Sequence, residues 1–332
     1  MTRLLPAIAA LLLCTAAHAL DFTVSADGSG DFRTVQEAVD AAPDYCKQEA
    51  TVIYIKAGTY REKVTVPANK QRLHLVGEDA ARTVITWDDY ALRPNAAGHP
   101  MGTSATSTVF IYGSDFLAEN LTFENSAGEG KDISQACAVT VDADRAAFIG
   151  CRFIGNQDTI YTFGKRQKQY YRNCWIEGTT DFIFGAATCW FEDCTILCKK
   201  DSYITAASTP KGEKYGYVFR NCRILHSDGV SKCWLGRPWR KYARTVWIDC
   251  SMDSHIRPEG WHDWSKPYAH RTVFYAESGS TGPGAAGRRV RWARRLSARQ
   301  LKAYTPARVL DPGREEDKNG EQVPVEWFFK VF

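Results

Sequence analysis

From Thr51 onward the apolar residues fall into short β-branched or aromatic runs: TVIYI, KVTV, LHLV, TVITW, STVFIY, LTF and AVTV. Asn, Gly and Asp separate them, as expected for strands joined by turns. The pattern continues through FIGCRFIGN, YYRNCWIEG, CWFEDCTIL, YVFRNCRIL and TVWIDCSM. Few runs alternate apolar with polar over a long span, and no helical run lies between them. The clear helix of the N-terminal half precedes the strands. Thr34 and Glu37 form a capping box, Val35, Ala38, Val39 and Ala42 follow at helical spacing, and Pro43 ends the run. A second short helical stretch, Ser297 to Tyr304, lies near the C-terminus.

Five of the later runs share a phrase. Gly150-Cys151-Arg152-Phe153 matches Asn173-Cys174-Trp175-Ile176, Asp193-Cys194-Thr195-Ile196, Asn221-Cys222-Arg223-Ile224 and Asp249-Cys250-Ser251-Met252. Asn120-Leu121-Thr122-Phe123 is an earlier copy with Leu in the cysteine slot. The cysteines are 23, 20, 28 and 28 residues apart. Such periods indicate a solenoid, in which each repeat buries its apolar face against its neighbours. Strands without intervening helices point to an all-β parallel β-helix. The leucine-rich rival lacks its LxxLxL pattern. Cys151, Cys174, Cys194, Cys222 and Cys250 then form an inward-facing ladder. The Thr34–Ala42 helix caps one end, and the C-terminal helix packs along the side. Rungs ~4.8 Å apart lie within disulfide range, so at least one bridge is expected among several free thiols.

The chain has 332 residues, 44% hydrophobic and 24% charged, ordinary for a soluble globular protein. Its formal charge of +4 and the lack of a dense Lys/Arg stripe give no argument for nucleic acid. Residues 1–19 read as an export signal: Arg3 gives the positive start, Ile8 to Leu13 the apolar core, and Ala17-His18-Ala19 the cleavage site. A lipoprotein role for Cys14 is disfavoured, since Leu13 stands where a small residue belongs. No segment approaches the ~20 apolar residues of a membrane span. The expectation is therefore a secreted or periplasmic protein, one catalytic unit over residues 20–332, monomeric. Its other cysteines meet a compartment that permits disulfides.

Several chemistries lack their devices. There is no GxSxG elbow and no HExxH, and without a CxxC pair the spacing argues against a zinc site. Gly282–Gly287 matches GxGxxG, but a proline and the absence of a following helix make it a loop. What stands out is a carboxylate pair. Asp158 lies seven residues after Cys151, and Asp181 seven after Cys174. Equal offsets on consecutive coils put the two side chains side by side, where like charges push their pKa values apart and yield an acid and a base or nucleophile. The bland alternative is a pair of turn aspartates. The aromatic neighbours Tyr161, Phe163, Phe182 and Phe184 argue against it, while Asp201, seven after Cys194, shows that the offset also recurs without such company.

GNQDTIYT at 155–162, DFIFG at 181–185 and LGRPW at 235–239 resemble the signature motifs of pectin methylesterases. GTYRE at 58–62, ENLTFEN at 119–125, QACAV at 135–139, GYVFRNCRI at 216–224 and GPGA at 282–285 extend the likeness. The resemblance implies a right-handed parallel β-helix of the pectin-lyase-like type. It also implies metal-free, cofactor-free hydrolysis of C6 methyl esters of galacturonate in pectin, with methanol released. It casts Asp181 as nucleophile, Asp158 as acid and then base, and Gln157 and Gln135 as amides facing the oxyanion. Arg237 orients Asp181, Trp239 contacts substrate and Thr103 binds it; Tyr161 and Phe184 form sugar-facing walls. It further implies a Cys174–Cys194 disulfide. The alternatives are another pectin-active β-helix enzyme, a polygalacturonase or lyase, and a non-catalytic carbohydrate-binding solenoid. Asn120-Leu121-Thr122 is a glycosylation sequon, but its place in a repeat phrase gives it a structural role.

Overall fold

Three parallel sheets wind around one core in the computed structural model, which describes residues 21–46, 49–311, 313–316, 321–324 and 327. The expected export segment, 1–19, lies outside the described residues. The sheets hold eleven, eight and seven strands, and neighbours within each are separated in the chain by whole coils. One coil shows the path: Ala146–Ile149 in the long sheet, Arg152–Ile154 in the second, Ile160–Thr162 in the third, then Lys168–Arg172 back in the first. This is the parallel β-helix that the repeat predicts.

The repeated phrase is a turn. Gly150, Asn173, Asp193, Asn221 and Asp249 have φ of 62°, 55°, 55°, 54° and 52°, and Asn120 has 54°. Each ends a long-sheet strand and bends the chain into the second sheet through the left-handed region. There Gly is unstrained, and Asn and Asp are the best tolerated side chains. The next residue, Leu121 or a cysteine, then points inward, and all are at most 1% exposed. The ladder thus forms as expected. The bridge does not: all ten described cysteines are free thiols, Cys174 and Cys194 included. Each ladder thiol lies against backbone carbonyls instead. Cys174 Sγ lies 3.4 Å from the Phe148 and Arg172 carbonyls, and Cys194 Sγ 3.5 Å from that of Tyr171.

Aromatic rungs fill the core beside the thiols. Phe148, Tyr171, Phe191, Phe219 and Trp247 are paired in register along the long sheet. Their centroids are 4.9, 4.6, 4.5 and 3.8 Å apart in near-parallel stacks. Such pairs add ~0.5–1.5 kcal/mol each beyond area burial.

Both ends of the cap are tied down. Helix α1 (Val35–Ala41) carries the expected Thr34/Glu37 capping box. Glu62 accepts from the Val35 and Gln36 amides at 2.8 and 3.0 Å, and Lys70 Nζ donates to Asp40 O at 2.9 Å. These contacts satisfy groups left unpaired at helix ends. Near the C-terminus, helix α2 (Ala298–Leu301) starts at Ser297 as expected, and a further helix α3 (Pro306–Val309) follows. Leu301, Tyr304, Val309 and Leu310 cover the outward apolar face of the long sheet at Tyr170, Trp190, Val218 and Val246. Tyr215 Oη pins the segment to Ala303 O at 2.9 Å.

Phe191→Ala should cost ~3–5 kcal/mol, as expected for a large core truncation, read from urea unfolding. A loss under 1 kcal/mol would mean that the aromatic stack does not hold adjacent coils together.

Candidate active site

The third sheet carries a column of residues in strict register: Phe110, Thr140, Tyr161, Phe184 and Ala206. Asp158 and Asp181 stand in the turns that lead into the Tyr161 and Phe184 strands, with φ of 68° and 50°. Adjacent-coil hydrogen bonds lock those turns: Asp158 N donates to Thr180 O at 3.0 Å, and Asp181 N to Tyr203 O at 2.7 Å. Both aspartates are therefore turn aspartates in the left-handed region, and both are also nearly buried, at 7% and 6% exposure. A place in a turn thus does not keep either carboxyl at the surface. Asp201 is different. Its Oδ1 accepts the Ser231 and Lys232 amides at 2.7 and 2.8 Å, bracing the next coil away from the cleft.

All seven expected site residues, Thr103, Gln135, Gln157, Asp158, Asp181, Arg237 and Trp239, line one cleft of about 410 Å³. Arg237 donates Nε to Asp181 Oδ1 at 2.9 Å and Nη2 to Oδ2 at 2.7 Å, a bidentate fork. Its guanidinium is sandwiched, 3.8 Å from the Tyr203 ring centroid and 3.7 Å from that of Trp264. Arg237 N bonds Thr205 O at 2.9 Å. Gly236 before it lies so close to the neighbouring coil that a Cβ would fall 2.0 Å from Thr205 Oγ1. Only glycine lets the strand seat Arg237 there.

Thr103 reaches the cleft on a long loop after the Thr83–Trp87 strand. Buried Asn125 holds that loop, its Nδ2 donating to the carbonyls of Asp89, Thr106 and Cys137 at 2.9, 3.2 and 3.0 Å. Gln135 and Gln157 sit on successive coils, joined by the Ala136 N to Gln157 O bond at 3.1 Å. One wall is aromatic: Tyr161 stacks on Phe184 with centroids 4.2 Å apart, and Trp239 is 5.8 Å from Phe184. Phe163, 44% exposed, extends the wall outward from Tyr161.

Trp264, Ser104 and Ala206 also line the cleft, and Tyr203 backs Arg237; sequence reasoning finds none of these four. Trp264 belongs to the aromatic cluster WHDWSKPY at 261–268, a compositional signal without a spacing that points to the site.

The two carboxyls differ in environment. Burial is the largest influence on Asp158 and the charge of Asp181 adds to it, so Asp158 lies well above the ordinary carboxylate range despite Arg237. No side-chain donor among the described residues hydrogen-bonds its carboxyl. Burial also raises Asp181, but its bonds to Arg237 and the nearby Lys266 charge oppose the rise. The arrangement thus favours a protonated Asp158 beside an ionised Asp181, the asymmetry that acid–base work by two like residues requires.

A carboxyl raised in the folded state binds protons more tightly there than in the unfolded chain, so stability is lost as pH rises from the unfolded value through the folded one. Asp158→Asn removes that penalty. Its melting temperature should exceed the parent's at pH 7 and converge with it below pH ~3.9, the unfolded value. Calorimetry showing equal melting temperatures at pH 7 would contradict a raised Asp158.

Comparison with known proteins shows the family. A family model described as Pectinesterase matches residues 21–313. Pectinesterase 31 of Arabidopsis thaliana is 40% identical over 303 residues, covering 89% of this chain and 93% of that protein. The chain spans about half the length of other, longer curated relatives that it matches. Among solved structures, pectin methylesterase from carrot superposes with a TM-score of 0.80 at 35% identity, covering 87% of this chain and 92% of that one. A pectin methylesterase in complex with a hexasaccharide superposes with a TM-score of 0.76 at 30% identity, covering 89% and 98%. The chain belongs to the pectinesterase family, the carboxylic ester hydrolases whose parallel β-helix it shares.

Proposed function

We propose that the protein hydrolyses the C6 methyl esters of galacturonate units in pectin, with Asp181 as nucleophile and Asp158 as acid and base. The observation that carries the mechanism is the contrast within the pair: Asp181 forked by Arg237, Asp158 buried beside it without a donor. The ionised Asp181 carboxylate attacks the ester carbonyl, and the Asp158 acid passes its proton to the departing methoxide. Methanol leaves, and Asp181 is held as an acyl-enzyme. Asp158, now a carboxylate, takes a proton from the water that attacks the acyl carbonyl, and both residues return to their starting states. Splitting the hydrolysis in two is covalent catalysis of the ordinary kind.

The Gln135 and Gln157 amides face the oxygen that gains charge, where removing one preorganised donor costs ~10²–10³ in kcat. Arg237 orients Asp181 and favours its charged form, and the clamp of Tyr203 and Trp264 limits its rotamers. Tyr161, Phe184 and Trp239 offer apolar faces to sugar rings, while Thr103 supplies a hydroxyl at the far rim. The hexasaccharide bound by a relative supports an oligosaccharide in the corresponding cleft here.

Asp181→Ala should abolish methanol release from methylated pectin, and Asp158→Ala should lower it by ~10²–10⁴, the usual worth of a general acid. Methanol release by Asp181→Ala at the parent rate would sink the mechanism, and falling viscosity without methanol would point to chain cleavage instead. The pH profile should be a bell. Activity is lost on the acid side as Asp181 is protonated and on the alkaline side as Asp158 ionises, both limbs above the unperturbed carboxylate value of ~3.9. Arg237→Gln should move the acid limb to higher pH; an unmoved limb would deny Asp181 that role.

A further inference from the structure

Three side chains from successive coils converge on the back of the turns that feed the cleft. Cys198 ends the Thr195–Cys198 strand, Cys233 directly precedes the Trp234–Gly236 strand, and His255 follows the Ser251–Met252 strand one coil later. The two sulfurs and an imidazole nitrogen lie within 4.8 Å of one another. Each residue is 1% exposed.

One feature separates this cluster from the cysteine ladder. Cys233 Sγ lies 3.2 Å from the Lys200 carbonyl, much as ladder thiols lie against theirs; what differs is the imidazole. Here both ring nitrogens of His255 are buried without a hydrogen-bond partner, although a buried polar group left unpaired costs ~1–3 kcal/mol. A disulfide between Cys198 and Cys233 would leave both ring nitrogens unpartnered; a cation bound by all three takes up one of them. The positions are also fixed by backbone. Cys233 N donates to His255 O at 2.7 Å, and Arg257 N to Cys233 O at 2.9 Å. Tetrahedral zinc with Zn–S bonds of ~2.3 Å needs ligand atoms only about 3.5–3.8 Å apart, a small contraction of this cluster. His226 pairs with Cys198 in register, and its ring lies 4.8 Å from that of His255. Its Nδ1 bonds the Ser227 carbonyl at 3.0 Å, leaving Nε2 with its lone pair. A ligating imidazole is commonly oriented in that way.

We propose that Cys198, Cys233 and His255 form a structural binding site for a zinc-class divalent cation, its fourth position open to water or to His226. Two thiolates and an imidazole suit zinc, whereas magnesium and calcium take oxygen ligands. On binding, the two thiols release their protons to solvent. The ion staples three coils together just ahead of two functional strands. Cys233 stands four residues before Arg237, and Cys198 five before Tyr203, which stacks on Arg237. Sequence reasoning keyed to CxxC passes over the site, because its ligands come from three coils.

The test uses the full chain, purified reduced, stripped with a chelator and titrated with Co²⁺. One cobalt per chain is expected, with a thiolate-to-cobalt charge-transfer band and the intense visible bands of a tetrahedral site, both erased by Zn²⁺. Zn²⁺ should also raise the melting temperature of the stripped protein, as any ligand specific to the native state does. Cys233→Ser and His255→Gln should each weaken Co²⁺ binding by ~10²-fold or more, while Cys222→Ser, in the ladder, should leave the bands unchanged. The proposal is overturned if the parent shows no such bands, if they survive both variants, or if peptide mapping of protein isolated without reductant finds Cys198 joined to Cys233.

Discussion

Register between coils is the constraint on which everything else in this molecule depends. Each coil hydrogen-bonds in parallel to the next, so a side chain's neighbour is set by its place in the repeat and not by distance along the chain. The left-handed turn before each ladder position keeps that register. Asn120, Gly150, Asn173, Asp193, Asn221 and Asp249 all adopt positive φ there, and each resets the chain before the second sheet. Between turns the coils vary in length, as the cysteine intervals show, without any slip in the Phe148-to-Trp247 stack.

The carboxylate pair in the cleft borrows this device. Asp158 and Asp181 occupy left-handed turns of their own, on adjacent coils, just ahead of strands that put Tyr161 over Phe184. A solenoid gives equivalent positions equivalent surroundings, and the two carboxyls would be alike if nothing broke the repeat. Arg237 breaks it. Coming from two coils beyond Asp181, it forks that carboxylate alone and leaves Asp158 to burial and like charge. The aromatic clamp on the guanidinium and the glycine that admits its strand are the supports of that asymmetry.

The sequence is most legible where local geometry restricts residue type. The Thr34/Glu37 capping box, the Ser297 helix start, and the Asn-Cys and Asp-Cys phrases are all read correctly, because a cap and a positive φ each admit few residues. The seven expected site residues do meet in one cleft. Their motifs bring them to light through resemblance, whereas the seven-residue offset alone also selects Asp201, a backbone brace. The expected Cys174–Cys194 bridge is the clearest divergence: closeness of rungs permits a bond, but these thiols are turned to carbonyls of the preceding coil.

What the sequence by itself determined is the repeat: its period, its turns, its inward residues and the coils that carry the acids. Those are properties of short segments, fixed by backbone sterics and side-chain polarity within a few residues. What only the tertiary structure decided is which distant residues meet. Trp264 and Tyr203 close on Arg237, Asn125 anchors the Thr103 loop, and Cys198, Cys233 and His255 gather from three coils. The loops between strands differ in length from coil to coil, so the spacing along the chain that joins these partners carries no period, and stacking alone brings them together.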